Sequence, residues 1–154
     1  MGVRGLITVL MGAPGAGKTT WIKQNATDEL VLSSEPVRIY RDELDVGAYM
    51  NQMRLIGLKA VKSGQSVIVD ATNTITAHRA YWLKIAKANK VDNRLVAFNT
   101  GLDQLLAAQK LRAHPAPDTI VKDHYRRFQR SLQMIKMEGW KDIKIINRGV
   151  GQEQ

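Results

Sequence analysis

Residues 6–20 read Leu6-Ile7-Thr8-Val9-Leu10-Met11-Gly12-Ala13-Pro14-Gly15-Ala16-Gly17-Lys18-Thr19-Thr20. The first six form an apolar run that ends in glycine, as a strand buried on both faces does. The next eight, Gly12 to Thr19, match G-x-x-x-x-G-K-[ST] without a deviation. Glycines there let backbone N–H groups turn inward around phosphate oxygens with no Cβ in the way. Lys18 stands at the start of a short helix that runs on from Thr19 to Asn25, where its charge can neutralise β- and γ-phosphates. The Thr19 hydroxyl can serve Mg²⁺, and the helix N-terminus favours negative charge. The plain alternative is a Gly-rich turn. A buried strand before the motif and a helix after it favour the phosphate cradle, Gly12 to Thr20, as a nucleotide-binding loop.

Outward from the cradle, short apolar runs alternate with longer amphipathic stretches. Val37-Arg38-Ile39-Tyr40 predicts a short second strand. Apolar residues at Tyr49, Met50, Met53, Ile56 and Ala60 predict a helix from Val46, stopped by Gly64. Ser66-Val67-Ile68-Val69 predicts a strand leading into Asp70. Thr76 is expected to cap the helix carrying Trp82, Ile85 and Ala86, and Leu95–Phe98 the next strand. Thr100 and Asp103 resemble a capping box opening a helix over Leu102–Arg112. Pro117 is expected to begin the following helix, with Val121, Tyr125, Phe128, Leu132 and Ile135 as its apolar stripe. Ile143–Ile146 predicts a final strand. Strands alternating with helices imply an α/β fold, with a mostly parallel sheet covered on both faces.

The chain has 154 residues, the length of one domain, and 44% of them are hydrophobic, which argues against global disorder. It contains no cysteine, so disulfides, thiolate metal sites and cysteine nucleophiles are excluded. Three histidines without metal-ligand spacing argue against a zinc enzyme. No apolar run is long enough to span a membrane, and Leu6–Met11 lacks a cleavage region, so a cytoplasmic protein with no membrane partner is expected. The 23 Lys+Arg against 14 Asp+Glu give a formal charge of +9, which favours a polyanionic partner.

Two acidic residues follow predicted strands, at the sheet edge where open α/β proteins bind ligands. Asp42 reads equally as a general base for a hydroxyl acceptor or as a helix N-cap. Asp70 ends its strand where an acidic residue can hold Mg²⁺ or its waters. Thr72 and Asn73 offer hydrogen bonds to a substrate, although turn chemistry alone also favours them.

In order along the chain, Gly12–Thr20 with Trp21, Arg41-Asp42-Glu43-Leu44, Ser66–Asn73, Arg79, Leu111–Pro117 and Glu138-Gly139-Trp140 resemble the signatures of the polynucleotide 5′-hydroxyl kinase family. The resemblance covers Leu6 to about Ile146. It implies a P-loop NTPase-type three-layer fold, a single kinase domain over 1–154, and a small helical lid at about 102–118. It also implies transfer of the ATP γ-phosphate to nucleic acid 5′-OH ends, with Mg²⁺. Lys18, Asp42 as base and Arg112 as a lid arginine would be catalytic, and Thr19 and Asp70 would hold the metal. Thr72, Asn73, Arg79 and Arg38 or Arg41 would lie on the acceptor side. Two positions depart from the family pattern. Asp45 stands where an arginine three residues after the base is usual, and Ala108 where a second lid arginine is. A second register matches Glu35 and Arg38 to base and arginine; Asp42 is preferred because Val37–Tyr40 supplies a preceding strand.

Lys122, Arg126, Arg127 and Arg130 fall on one broad helix face. It reads equally as a groove for a phosphodiester backbone or as a solvated surface. Trp82 is expected in the core, Trp21 and Trp140 are open, and the six methionines read as core. The same features also fit a P-loop kinase of a nucleoside, sugar or antibiotic hydroxyl, or a non-catalytic nucleotide-binding module.

Overall fold

Leu6–Met11 forms β1 and is buried almost throughout. It lies between β3 (Val67–Asp70) and β4 (Asp92–Thr100), in register Val9↔Val69 and Val9↔Leu95. β2 (Leu30–Ser33) and β5 (Asp142–Arg148) complete a five-stranded sheet of order β2-β3-β1-β4-β5, parallel throughout. This is the computed structural model of the chain, and it describes residues 5–149. The ends of the expected 1–154 domain, residues 1–4 and 150–154, lie outside the described residues.

Parallel neighbours require crossovers, and six helices supply the layers. They are α1 (Lys18–Asn25), α2 (Glu35–Ile39), α3 (Val46–Lys62), α4 (Thr76–Ala88), α5 (Leu102–Gln109) and α6 (Asp118–Leu132). Alternate side chains of each strand enter different cores, as a period of two demands. Ile7, Val9, Met11, Val67, Val69, Leu95 and Ala97 pack with Met53 and Val61 of α3 and Trp82 and Leu83 of α4. Leu10, Ile68, Val96 and Phe98 pack instead with Trp21 of α1, Leu105 of α5 and Val121 of α6. The result is the expected α/β three-layer architecture. Among the described residues no helix is long and apolar enough to cross a membrane.

Several local expectations are corrected. The second strand is Leu30–Ser33, and Val37–Tyr40 belongs to α2 and the bend after it. Pro36, with its fixed φ, suits a first helical turn, and Arg38 pairs with Glu35 one turn back at 2.9 Å. Thr76 is the first helical residue of α4 rather than its cap, which is Ile75. Thr100 remains in β4 and donates to the Ala16 carbonyl at 3.0 Å, so no capping box forms and Gly101 precedes α5. Helix α5 stops at Gln109, short of Arg112. Pro117 is the N-cap of α6, one residue before its helical start, and Ile135 lies in a separate turn of 3₁₀-helix. All three tryptophans are buried, with Trp21 edge-on to Phe98. Met11 and Met53 are core residues, but Met134 and Met137 are exposed, as is Ile56.

Candidate active site

Strand β1 lies at the switch point of the sheet: the chain leaves it for β2 and β3 on one side and then crosses to β4 and β5 on the other. Crevices at such points bind ligands. Gly12 N–H donates to the Thr72 carbonyl at 2.9 Å, which ties the cradle to the loop after β3. Gly15 and Gly17 have φ of +89° and +107°, conformations open to glycine. A Cβ on Gly15 would meet Gln109 and the Ala108 methyl at 2.8 and 3.0 Å, because α5 lies directly against the cradle. Gly12, Ala13 and Ala16 are buried beneath the loop, while Pro14, Gly15, Gly17, Lys18, Thr19 and Thr20 line a cleft of about 1180 Å³.

The Lys18 Nζ donates to the Gly12 and Ala13 carbonyls at 2.6 and 3.0 Å. Burial lowers its pKa to about 8; Asp70 opposes that shift, and Arg112 and Arg38 add to it. The Asp70 carboxylate accepts from the Ser33 hydroxyl at 3.1 Å, and burial raises its pKa against the pull of Lys18. Thr19 and Asp70 both line the cleft. They are oxygen donors of the kind Mg²⁺ accepts while keeping waters and phosphate oxygens. Among the described residues no group of three or more His, Cys, Asp or Glu could hold a metal. A cation here would therefore depend on bound phosphate, and the residues present fit that arrangement.

Arg38, Arg41, Asp42, Thr72, Asn73 and Arg112 also line the cleft. Arg38 donates to the His114 carbonyl and pairs with Glu35, so α2 reaches across to the segment after α5. Arg112 has a buried Nη1 with no partner, and burial with the nearby Arg38 charge lowers its pKa. Asp42 is exposed in the turn after α2, and Glu35 stands two residues beyond the end of β2. Asn73, at φ 49°, is buried, and its amide donates to the Leu10 carbonyl at 2.7 Å.

Arg79 does not join them. It is fully buried and outside the cleft lining, and its five N–H groups meet Glu138 twice, the Asn73 carbonyl, Ser131 and Thr76. The acceptor-side expectation for Arg79 is thus corrected: no donor is left for a substrate. It holds the loop after β3 by the Asn73 carbonyl instead.

Three residues escaped the sequence reading. Gln109 is buried, donates to the Pro14 carbonyl at 2.9 Å and accepts from Ala116 N–H at 3.0 Å, clipping the expected lid to the cradle. His124 lines the cleft, with Nδ1 3.0 Å from the Thr74 hydroxyl. Its pKa falls to about 4 through burial, with Arg127 and Lys18 adding to the shift. Glu138 belongs to a sequence motif that does not reveal its buried partner, Arg79. A glutamine among the apolar residues of a predicted lid helix is a faint signal for the first, and no local pattern marks His124.

The chain is similar to a chain of the Pnkp1/Rnl/Hen1 RNA repair complex, with a TM-score of 0.71 at 18% identity over 88% of this chain and 47% of that one. It therefore spans about half the length of that relative. It is also similar to Kti12 from Chaetomium thermophilum in complex with ADP-AlF3, at TM-score 0.65 and 18% identity over 92% and 88% of the two chains. Deoxyadenosine kinase from M. mycoides with bound dATP matches at TM-score 0.60 and 11% identity over 92% and 90%. At such identities the likeness is one of fold, here the P-loop kinase-like fold. A family model described as AAA domain matches residues 7–135, from β1 and its cradle to the turn after α6, and the chain belongs to that family.

Proposed function

We propose that this chain is a cytoplasmic, ATP-dependent phosphotransferase that moves the γ-phosphate of ATP to the 5′-OH end of a polynucleotide. It would act as one domain over 1–154, with a lid at about 102–118. The observation that carries the reading is the single cleft onto which the cradle, the residues after β2 and β3, and Arg112 all open. ATP binding alone needs neither a carboxylate on the acceptor side nor an arginine facing the phosphates.

In this mechanism the cradle amides and Lys18 hold the β- and γ-phosphates, and Thr19 and Asp70 would hold Mg²⁺. The cation supplies neutralising charge at the phosphate oxygens. The acceptor 5′-oxygen bonds to the γ-phosphorus as the bond to the bridging oxygen of ADP breaks, and its proton passes to a carboxylate. Glu35 is the better placed of the two candidates, because it follows the true second strand and its charge acts on both Asp70 and Arg112. Asp42 lines the same cleft and is the second candidate. Arg112, with its unpartnered Nη1, would meet charge developing on the phosphoryl group. Arg38, Arg41 and Thr72 would contact the acceptor; Asn73 would shape its loop.

A small hydroxyl acceptor is the competing reading; with Asp42 as base it gains support from Asp45, which caps α3 where an acceptor-side arginine would stand, whereas with Glu35 as base that place is filled by Arg38. Transfer from γ-labelled ATP to 5′-OH DNA, 5′-OH RNA, nucleosides and sugars separates the two. Label is expected on oligonucleotides in a Mg²⁺-dependent reaction, with a loss of at least about a hundredfold in Lys18→Ala. Label on nucleosides or sugars alone would replace the polynucleotide reading, and none on any acceptor would leave a nucleotide-binding module.

A further inference from the structure

A second cavity, of about 240 Å³, lies beside the first, lined by Thr74, Ile75, Thr76, Arg127, Arg130 and Met134. Thr74 joins the two, since its hydroxyl contacts His124, a wall of the main cleft. Along α6, His124, Arg127 and Ser131 are spaced three and four residues apart, so they follow one edge of the helix. Arg127 also acts electrostatically on His124, one turn back on the same helix.

The basic face of α6 is not uniform. Arg126 pairs with Asp123 at 3.2 Å. Among the described residues neither Arg127 nor Arg130 makes a salt bridge. Beside these two cations, Ile75 and Met134 are 41% and 47% exposed, apolar surface at the same cavity. Paired cations next to an apolar shelf match a phosphate followed by a base, and every base offers a face for such contact. A polyanion without apolar groups, such as polyglutamate, would use the arginines and leave the shelf without a partner.

We propose that this cavity is a subsite for the nucleotide next to the acceptor end of a single strand. Arg127 and Arg130 hold the phosphate on its 3′ side, and Ile75 and Met134 carry its base. The inference rests on the polynucleotide reading above and makes it specific: the chain measures its acceptor beyond the first nucleotide.

The test is equilibrium binding of the full chain to a 3′-labelled single-stranded decanucleotide, ribo and deoxyribo, without ATP. Binding should weaken at least about tenfold in Arg127→Gln/Arg130→Gln. Its salt slope should fall by about 0.7, the share of one phosphate in a single strand. Arg126→Gln should lose little. In the transfer assay, a trinucleotide should surpass a nucleoside 3′-monophosphate as acceptor, and the double variant should erase that advantage while leaving the monophosphate rate unchanged. Equal losses from Arg126→Gln, no loss from the double variant, or displacement by polyglutamate as effective as by oligonucleotide would overturn the subsite. Oligonucleotide binding that depends on Arg127 and Arg130 without any phosphoryl transfer would sustain the subsite and refute the kinase reading alone.

Discussion

Glu35 and Asp42 both line the cleft, yet they reach it by different routes. Glu35 comes directly off β2 and pairs with Arg38, whereas Asp42 lies in an exposed turn one short helix later. A carboxylate that takes the acceptor proton contributes roughly 10²–10⁴-fold in rate. Glu35→Gln should therefore cost that much in kcat with near-normal ATP affinity, and Asp42→Asn much less. The reverse order of losses in the transfer assay would return the base to Asp42. His124 gives a second prediction. Its pKa is about 4 in the fold, against 6.5 for a free imidazole. Above pH 6.5 the group is neutral folded or unfolded. Between 6.5 and 4 the unfolded chain takes up a proton that the fold refuses, so stability falls as pH falls, and the loss is complete below about 4. Denaturant midpoints of wild type and His124→Gln should converge as pH is lowered through that window. Parallel curves would mean that His124 titrates normally.

At the scale of the element, the two departures from the kinase pattern acquire physical reasons. Asp45 accepts from the Ala48 N–H at 3.0 Å and caps α3. Asp45→Ala should cost about 1 kcal/mol of stability by chemical denaturation, with transfer activity little changed. A loss of activity without a loss of stability would place Asp45 in substrate binding. Ala108 sets its methyl against Gly15 of the cradle, and the adjacent Gln109 spans from cradle to lid. Strands β1, β3 and β4 are legible from short apolar runs, and helices α3 and α6 from long runs of helical period. The second strand is not. Leu30–Ser33 holds a single β-branched residue and Val37–Ile39 holds two, so local propensity favours the wrong segment and only pairing with β3 chooses between them.

Among the described residues two ion pairs join segments distant in the chain, Lys141–Asp92 on the surface and Arg79–Glu138 in the interior. Arg79 of α4 meets Glu138 beyond α6 at 2.6 Å, with the arginine wholly buried and the glutamate 15% exposed. The Arg79 hydrogen bonds hold the Glu138 pKa down against the effect of burial, and Trp140 adds a further bond at 2.9 Å. Removing one member of such a pair leaves a buried charge alone, at a cost of about 3–5 kcal/mol. Arg79→Leu should lower the denaturation free energy by that amount, and Arg79→Leu/Glu138→Leu should recover much of it. A loss in the single variant below about 1 kcal/mol would show the pair to be solvated. By itself the sequence determined the phosphate cradle, the alternation of strand and helix, and the parallel α/β class, because each rests on spacing within a few residues. Tertiary structure alone decided that Arg79 is a brace rather than a substrate ligand, that Glu35 rather than Asp42 follows the second strand, and that Arg127 is separated from Arg126. Those outcomes depend on which groups are desolvated together across separations of up to 59 residues, and no local pattern encodes them.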